Sequence, residues 1–194
     1  MIGTVRQPEE AEELTAAGAR LEEIEVTDDT SVNALAERLA GQPIDLLINN
    51  AGVLRRDRFD SADPATLLRQ FDVNAIGPLR VTRALLPNLK LAASPRVVNL
   101  TSRMASIADN ASGGFYGYRA SKAALNAITK SLAVDLSPWP VVAVHPGYVR
   151  TRLTNHQGDV TAEEAVERML VLIDKLDATS SGRFYHRDGH ELPW

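Results

Sequence analysis

The sequence predicts an α/β domain, a mostly parallel sheet covered by helices, and three observations carry that prediction. Short apolar runs alternate with longer amphipathic ones from end to end. The run Val141 to Val144 is continuously apolar, as a strand buried on both faces requires. No linker, internal repeat or low-complexity tract divides the 194 residues, a length that suits one domain with a sizeable core.

Taken in order, Ile2 to Val5 reads as a strand and Glu9 to Ala17 as a helix that Gly18 stops. Leu21 to Val26 is the second strand. Ser31 to Leu39 is a helix with hydroxyl or carboxylate caps available from Asp28 to Ser31 and a stop at Gly41. Ile44 to Ile48 is a third strand, followed by a broken helical region from Ala65 to Leu91. Arg96 to Leu100 is a strand, and Gly117 to Leu136 a long helix. Pro138 and Pro140 separate that helix from the Val141 strand, because proline interrupts helical hydrogen bonding. Thr161 to Leu176 reads as the last helix and Gly182 to Tyr185 as the last strand.

Composition removes several classes of function. With 21 basic and 25 acidic residues the formal net charge is -4, and no basic run offers a footprint for a phosphate backbone, so no nucleic-acid partner is expected. No apolar stretch approaches the length of a bilayer span, and M-I-G-T-V passes at once into the charged R-Q-P-E-E. No membrane association and a cytoplasmic location are the expectation. With no Cys there is neither a disulfide scaffold nor a thiol nucleophile. His145, His156, His186 and His190 lack metal-ligand spacing, so no metal is expected.

The reactive residues form a constellation rather than a single motif. Tyr118 and Lys122 in Y-R-A-S-K lie four apart, which on a helix puts both on one face. A tyrosine can protonate a carbonyl oxygen, and a lysine one turn away can stabilise the phenolate left behind. Ser102 follows the Arg96 strand, at the edge where open α/β sheets bind ligands, and its hydroxyl can donate to an oxygen gaining charge. Asn49 and Asn50 follow another strand. Ala51 and Gly52 there permit close backbone approach to a ligand, although Asn side chains that satisfy their own loop would explain the same residues. Asn74 sits in an otherwise apolar helical pattern, either binding a water that leads to Lys122 or capping a kink near Gly77-Pro78.

Together N-N-A-G (Asn49 to Gly52), the Asn of F-D-V-N-A, Ser102 and Y-R-A-S-K resemble the short-chain dehydrogenase/reductase family, from Ile2 to the C-terminus. The resemblance is strongest to small bacterial carbonyl-reductase-like members akin to C-signal. It implies a Rossmann-like fold, with Asn74, Ser102, Tyr118 and Lys122 as a catalytic tetrad. Lys122 would also hold the nicotinamide ribose, and Asn50, Ala51 and Gly52 would line the cofactor cleft. H-P-G-Y-V-R-T resembles the family's loop beside nicotinamide, which brings in Pro146, Gly147, Val149 and Thr151.

Two features depart from the family. Glu25-Val26-Thr27, followed by Asp28, stands for the family's Asp-Val-Thr-like segment near adenine, with Glu25, Asp28 or neither facing it. More seriously, the family's first strand and T-G-x-x-x-G-x-G turn have no counterpart, so the domain is expected to be N-terminally truncated, with Ile2 to Val5 matching the family's second strand. That omission removes the amides expected to receive a pyrophosphate, and the flanking strands must either close the gap or be covered by another subunit. Arg6, just past the first strand, is either a partner for the extra phosphate of NADP or a solvated loop residue.

The resemblance implies NADP(H), with NAD(H) an alternative, and a small carbonyl or alcohol substrate. Asp109 to Phe115 is expected to bend over the pocket, with Tyr148 and Thr151 to Gly158 opposite. A homodimer or homotetramer is implied, with Tyr185 and Trp194 either at a subunit contact or sealing their own domain. The competing reading is a catalytically silent remnant that acts through protein association.

Overall fold

A computed structural model describes all 194 residues, apart from the side chain of Glu10. The described elements are β1 (Ile2–Val5), α1 (Glu12–Ala16), β2 (Arg20–Glu23), α2 (Asp29–Arg38), β3 (Leu46–Asn49), α3 (Pro64–Phe71), α4 (Gly77–Ala84), α5 (Leu86–Leu89), β4 (Arg96–Leu100), α6 (Tyr116–Asp135), β5 (Val141–His145), α7 (Ala162–Asp174) and β6 (Phe184–His186). The expected Rossmann-like alternation is present. No helix among the described residues is long and apolar enough to cross a membrane.

Element boundaries shift where backbone groups find partners outside a ladder or helix. Pro8–Glu10 forms a separate 3₁₀ turn, so the first helix begins later than expected. Strand β3 starts at Leu46 because the Ile44 amide donates to Asn88 O at 3.2 Å, out of the sheet. The broken helical region resolves into α3, a π-helical turn at Asp72–Ile76, α4 and α5. Pro78, which lacks an N–H, falls in the first turn of α4, where that donor is not needed.

The strands are all paired in parallel, but in two sheets. One holds β1 and β2; the other has the order β3-β4-β5-β6. Strands β1 and β3 therefore each keep one unpaired edge, and the gap between them is not closed by pairing. Exposure reports the consequence: Ile48 on β3 is 40% exposed, whereas its register partner Val98 on β4 is fully buried at 0%. Thr4 and Val26 on one side and Leu47 and Ile48 on the other line a slot of about 60 Å³ between the sheets.

Helices, rather than strands, hold the small sheet in place. Val32, Leu35 and Leu39 of and beside α2 pack against Val81 and Leu85 of and beside α4, with Ile24 in the same cluster. Arg80 reinforces this contact, donating to Val26 O and Asp29 Oδ1 at 2.6 Å each. The main core lies on the other sheet, where Val98, Val142 and Val144 meet Met169, Leu172 and Ile173 of α7. Val97 and Val141 face the opposite layer with Leu89 and Ala133.

Candidate active site

A cavity of about 1630 Å³ opens at the carboxyl ends of β1, β3, β4 and β5. Open α/β sheets present loop backbone and side chains at that edge. Arg6, Asn50, Ala51, Gly52, Ser102, Tyr118, Lys122, Pro146, Gly147, Val149 and Thr151 all line it. Asn74 does not; it stands behind Gly52, where an added Cβ would lie 3.4 Å from Asn74 Oδ1 and 3.6 Å from Lys122 Nζ.

Tyr118 and Lys122 project from one face of α6 and are nearly buried, at 5% and 4% exposure. Ser102 leaves the end of β4 beside the Tyr118 phenol, and its Oγ accepts the Met104 N–H at 3.1 Å. Burial pushes the Tyr118 phenol up from its ordinary value, a shift the neighbouring Ser102 hydroxyl opposes. Lys122 Nζ donates to Leu100 O at 2.7 Å. Burial brings its ammonium down to about 8, so it remains protonated at neutral pH and sheds its proton in mildly alkaline solution. The phenol is therefore a weaker proton donor in the ligand-free chain than an exposed tyrosine, contrary to the lowered value expected from the neighbouring lysine.

The π-helical turn directs Asn74 toward the loop after β3. Its Oδ1 accepts the Val53 N–H, and its Nδ2 donates to both Val53 O and Ser121 Oγ. Of the two alternatives for Asn74, the kink has a structural setting, since the helix is irregular at this residue, while both side-chain donors are spent on the loop and α6. Asn49 serves neither its own loop nor the cavity. Its amide donates to Thr82 Oγ1 at 3.1 Å and Asn99 Oδ1 at 2.8 Å, and Asn99 donates onward to Thr129 Oγ1 at 2.9 Å. This buried chain ties α4, β3, β4 and α6 together.

Other expectations divide. Glu25 lines the cavity, while Asp28 is occupied as the N-cap of α2, accepting Thr30 N–H at 2.9 Å. Arg6 is exposed at the cavity edge. Tyr148, Thr151 and the next three residues line one rim, but no residue from Asp109 to Phe115 lines the cavity. That segment instead turns through left-handed backbone at Gly113, Gly114 and Phe115 and is gripped by Arg119, which donates to Gly114 O, Met104 O and Ser112 Oγ. Tyr185 packs on the α7 core, and Trp194, still 42% exposed, stacks on Phe184 at 5.7 Å.

Gly147 adopts φ +92°, and the Arg187 side chain fills the place a Cβ would take. Arg187 also donates to Pro146 O at 2.9 Å, so the loop beside the cavity is braced from behind. His145, next in line, is held neutral at about 3 by burial and by the nearby His186 and Arg187.

Sequence reading missed Asp57 and Gln70. Asp57 is 8% exposed and accepts amides at the start of α6, while Gln70 is 1% exposed and accepts the Arg55 N–H at 2.8 Å. For Asp57 the available signal was an acidic residue inside an otherwise unpatterned loop, which spacing alone does not distinguish from a solvated one; Gln70, within α3, carried none.

This arrangement of sheet edge, Ser102, Tyr118 and Lys122 is typical of nicotinamide-dependent oxidoreductases of one family. The family model described as short chain dehydrogenase matches residues 4–170, and the chain belongs to that family. Among curated relatives, C-signal of Myxococcus xanthus is 44% identical over 166 residues, covering 84% of this chain and 100% of that protein. The 1-hydroxy-2-glutathionyl-2-methyl-3-butene dehydrogenase of Rhodococcus sp. is 40% identical, covering 94% of this chain and 84% of the relative. The NADPH-bound carbonyl reductase from chicken fatty liver superposes with a TM-score of 0.90 at 34% identity, covering 98% of this chain and 86% of that structure.

Proposed function

We propose that this chain carries out NADP(H)-dependent interconversion of a carbonyl and a secondary alcohol, as a C-signal-like member of its family. The carrying observation is that Ser102, Tyr118 and Lys122 line one cavity, with Ser102 beside the Tyr118 phenol and Lys122 one turn along the same helix. The fit to a dinucleotide is good at the nicotinamide end. Gly52 leaves the floor beside Lys122 open, and Pro146 to Thr151 form the facing wall.

Arg6, Asn50 to Gly52, Tyr118, Lys122, Pro146, Gly147, Val149 and Thr151 would hold the cofactor, with Arg6 on the additional phosphate. A bound nicotinamide would supply or accept the hydride. Ser102 orients the substrate oxygen and donates to it as it gains charge. Tyr118 passes its phenolic proton to that oxygen, and the Lys122 ammonium compensates the phenolate that remains. Asn74 fixes the loop on which the cofactor-facing backbone rests, and a water relay returns the proton through Lys122. A small aldehyde, ketone or secondary alcohol fits the rim that Tyr148 and Thr151 share.

The unpaired edges of β1 and β3 favour a second reading, a folded chain that retains no dinucleotide and works through association. Consumption of NADPH with a panel of aldehydes and ketones separates the two. The reductase reading expects turnover that falls about 10²-fold or more in Tyr118→Phe and in Ser102→Ala. No turnover by the folded chain with any carbonyl favours the association reading.

A further inference from the structure

The segment after Asn50–Gly52 has no regular secondary structure, yet three alternate residues tether it. Val53 is bonded on both backbone groups by Asn74, the Arg55 amide donates to Gln70 Oε1, and Asp57 reaches the first turn of α6. The last of these links is unusual in its density. Asp57 O accepts the Phe115 N–H at 3.0 Å, Oδ1 accepts the Tyr116 N–H, and Oδ2 accepts the Gly117 N–H at 3.1 Å. Three consecutive amides, ending one residue before Tyr118, are thus received by one buried residue.

The first turn of α6 needs such a partner. Its entry passes through left-handed backbone at Gly113, Gly114 and Phe115, with φ of +62°, +63° and +52°, and the N-cap Phe115 offers no side-chain acceptor. A non-glycine residue in that region persists only when its surroundings determine it. Gly117 also packs so closely that a Cβ would lie 2.3 Å from Gln70 Nε2. Ser102, in contrast, comes from β4, an element that does not share the α6 backbone. The relative placement of the Ser102 and Tyr118 hydroxyls therefore depends on how the start of α6 is registered against the loops at the sheet edge.

We propose that Asp57 is a positioning residue for Tyr118, holding the first turn of α6 against the cofactor-facing loop so that the phenol meets Ser102. The proposal rests on the reductase reading and deepens it. Asp57 does not line the cavity; its effect passes through three backbone amides. Two separate carboxylate oxygens are required because two N–H groups arrive together. Asparagine retains one acceptor, and alanine retains none beyond the backbone carbonyl.

The test compares Asp57→Ala and Asp57→Asn with Asp63→Ala, which removes an ordinary N-cap from α3, where Asp63 accepts the Thr66 N–H at 2.9 Å. Misplacing a reacting group by about 1 Å costs roughly 10²-fold, so Asp57→Ala is expected to lower kcat about 10- to 100-fold with the KM for NADPH within about twofold. Asp57→Asn should recover part of that loss, and Asp63→Ala should leave kcat unchanged. Amide exchange at Phe115 to Gly117 in the ligand-free chain, read by mass spectrometry, should accelerate in Asp57→Ala alone. Spectrophotometric titration, taking the difference between each protein and its Tyr118→Phe counterpart, should show the phenol midpoint moving further above its ordinary value by about 0.5 pH unit or more in Asp57→Ala, because the lowering influence of Ser102 is lost. A folded Asp57→Ala protein with unchanged kcat overturns the proposal. If the parent chain shows no turnover, the reductase reading fails, and unchanged amide exchange and phenol titration in Asp57→Ala would then overturn the anchor separately.

Discussion

Asn74 and Val53 are joined twice: the Val53 N–H donates to Asn74 Oδ1 and Asn74 Nδ2 donates to Val53 O, both at 2.8 Å. A side-chain amide thereby imitates a strand partner for a backbone that has no ladder of its own. Asn74 is fully buried at 0% exposure, so its removal strands both Val53 groups and leaves Ser121 Oγ without its donor. Asn74→Ala is expected to cost about 2–4 kcal/mol in urea unfolding, since each orphaned buried group carries a desolvation penalty. Asn74→Asp should be nearly as damaging, because a carboxylate offers no donor to Val53 O.

The split sheet predicts an asymmetry between two register partners. Ile48 is 40% exposed and Val98 0% exposed on adjacent strands. Val98→Ala should cost about 2 kcal/mol or more, and Ile48→Ala under about 1 kcal/mol despite losing more carbon. Denaturant midpoints of the two variants check this, and an equal cost would mean that β3 is covered in solution.

Lys122 gives a pH signature. Its ordinary value of 10.5 applies to the unfolded chain and about 8 to the folded one. Between those limits the unfolded chain binds a proton that the folded chain has released, so stability from this residue rises as pH increases from 8 to 10.5. Below pH 8 both states are protonated, and the full burial cost of roughly 3 kcal/mol persists. The stability of the parent chain relative to Lys122→Met should therefore improve across pH 8 to 10 and stay flat from pH 6 to 7.5, as measured by urea unfolding at each pH.

Arg6 separates the two nicotinamide cofactors. It lines the cavity and is exposed beyond β1. Arg6→Ala is expected to weaken NADPH binding about tenfold, the value of a lost charge-assisted contact, and to leave NADH binding nearly unchanged. Equal weakening of both would remove Arg6 from the phosphate site.

Much of this arrangement was legible from residue order. Arg96–Leu100 matches its predicted strand in full because its apolar run is buried by helices on both faces. The Tyr118 and Lys122 pair was legible because four-residue spacing on a long helix fixes a shared face. The role of Asn49 was not, since its partners Thr82 and Asn99 lie 33 and 50 residues away and only the folded sheet brings them together. Asp109 to Phe115 misled for a related reason. Its glycines do permit an irregular path, but the direction of that path is set by Arg119, which no local pattern reveals.

The most direct measurement is equilibrium titration of the folded chain with NADPH, followed by its fluorescence, alongside Lys122→Met. Saturable one-site binding that weakens at least about tenfold in the variant is the expected result, because Lys122 sits against the cleft floor at Gly52. Absence of saturable binding by a cooperatively folded parent chain would contradict the account.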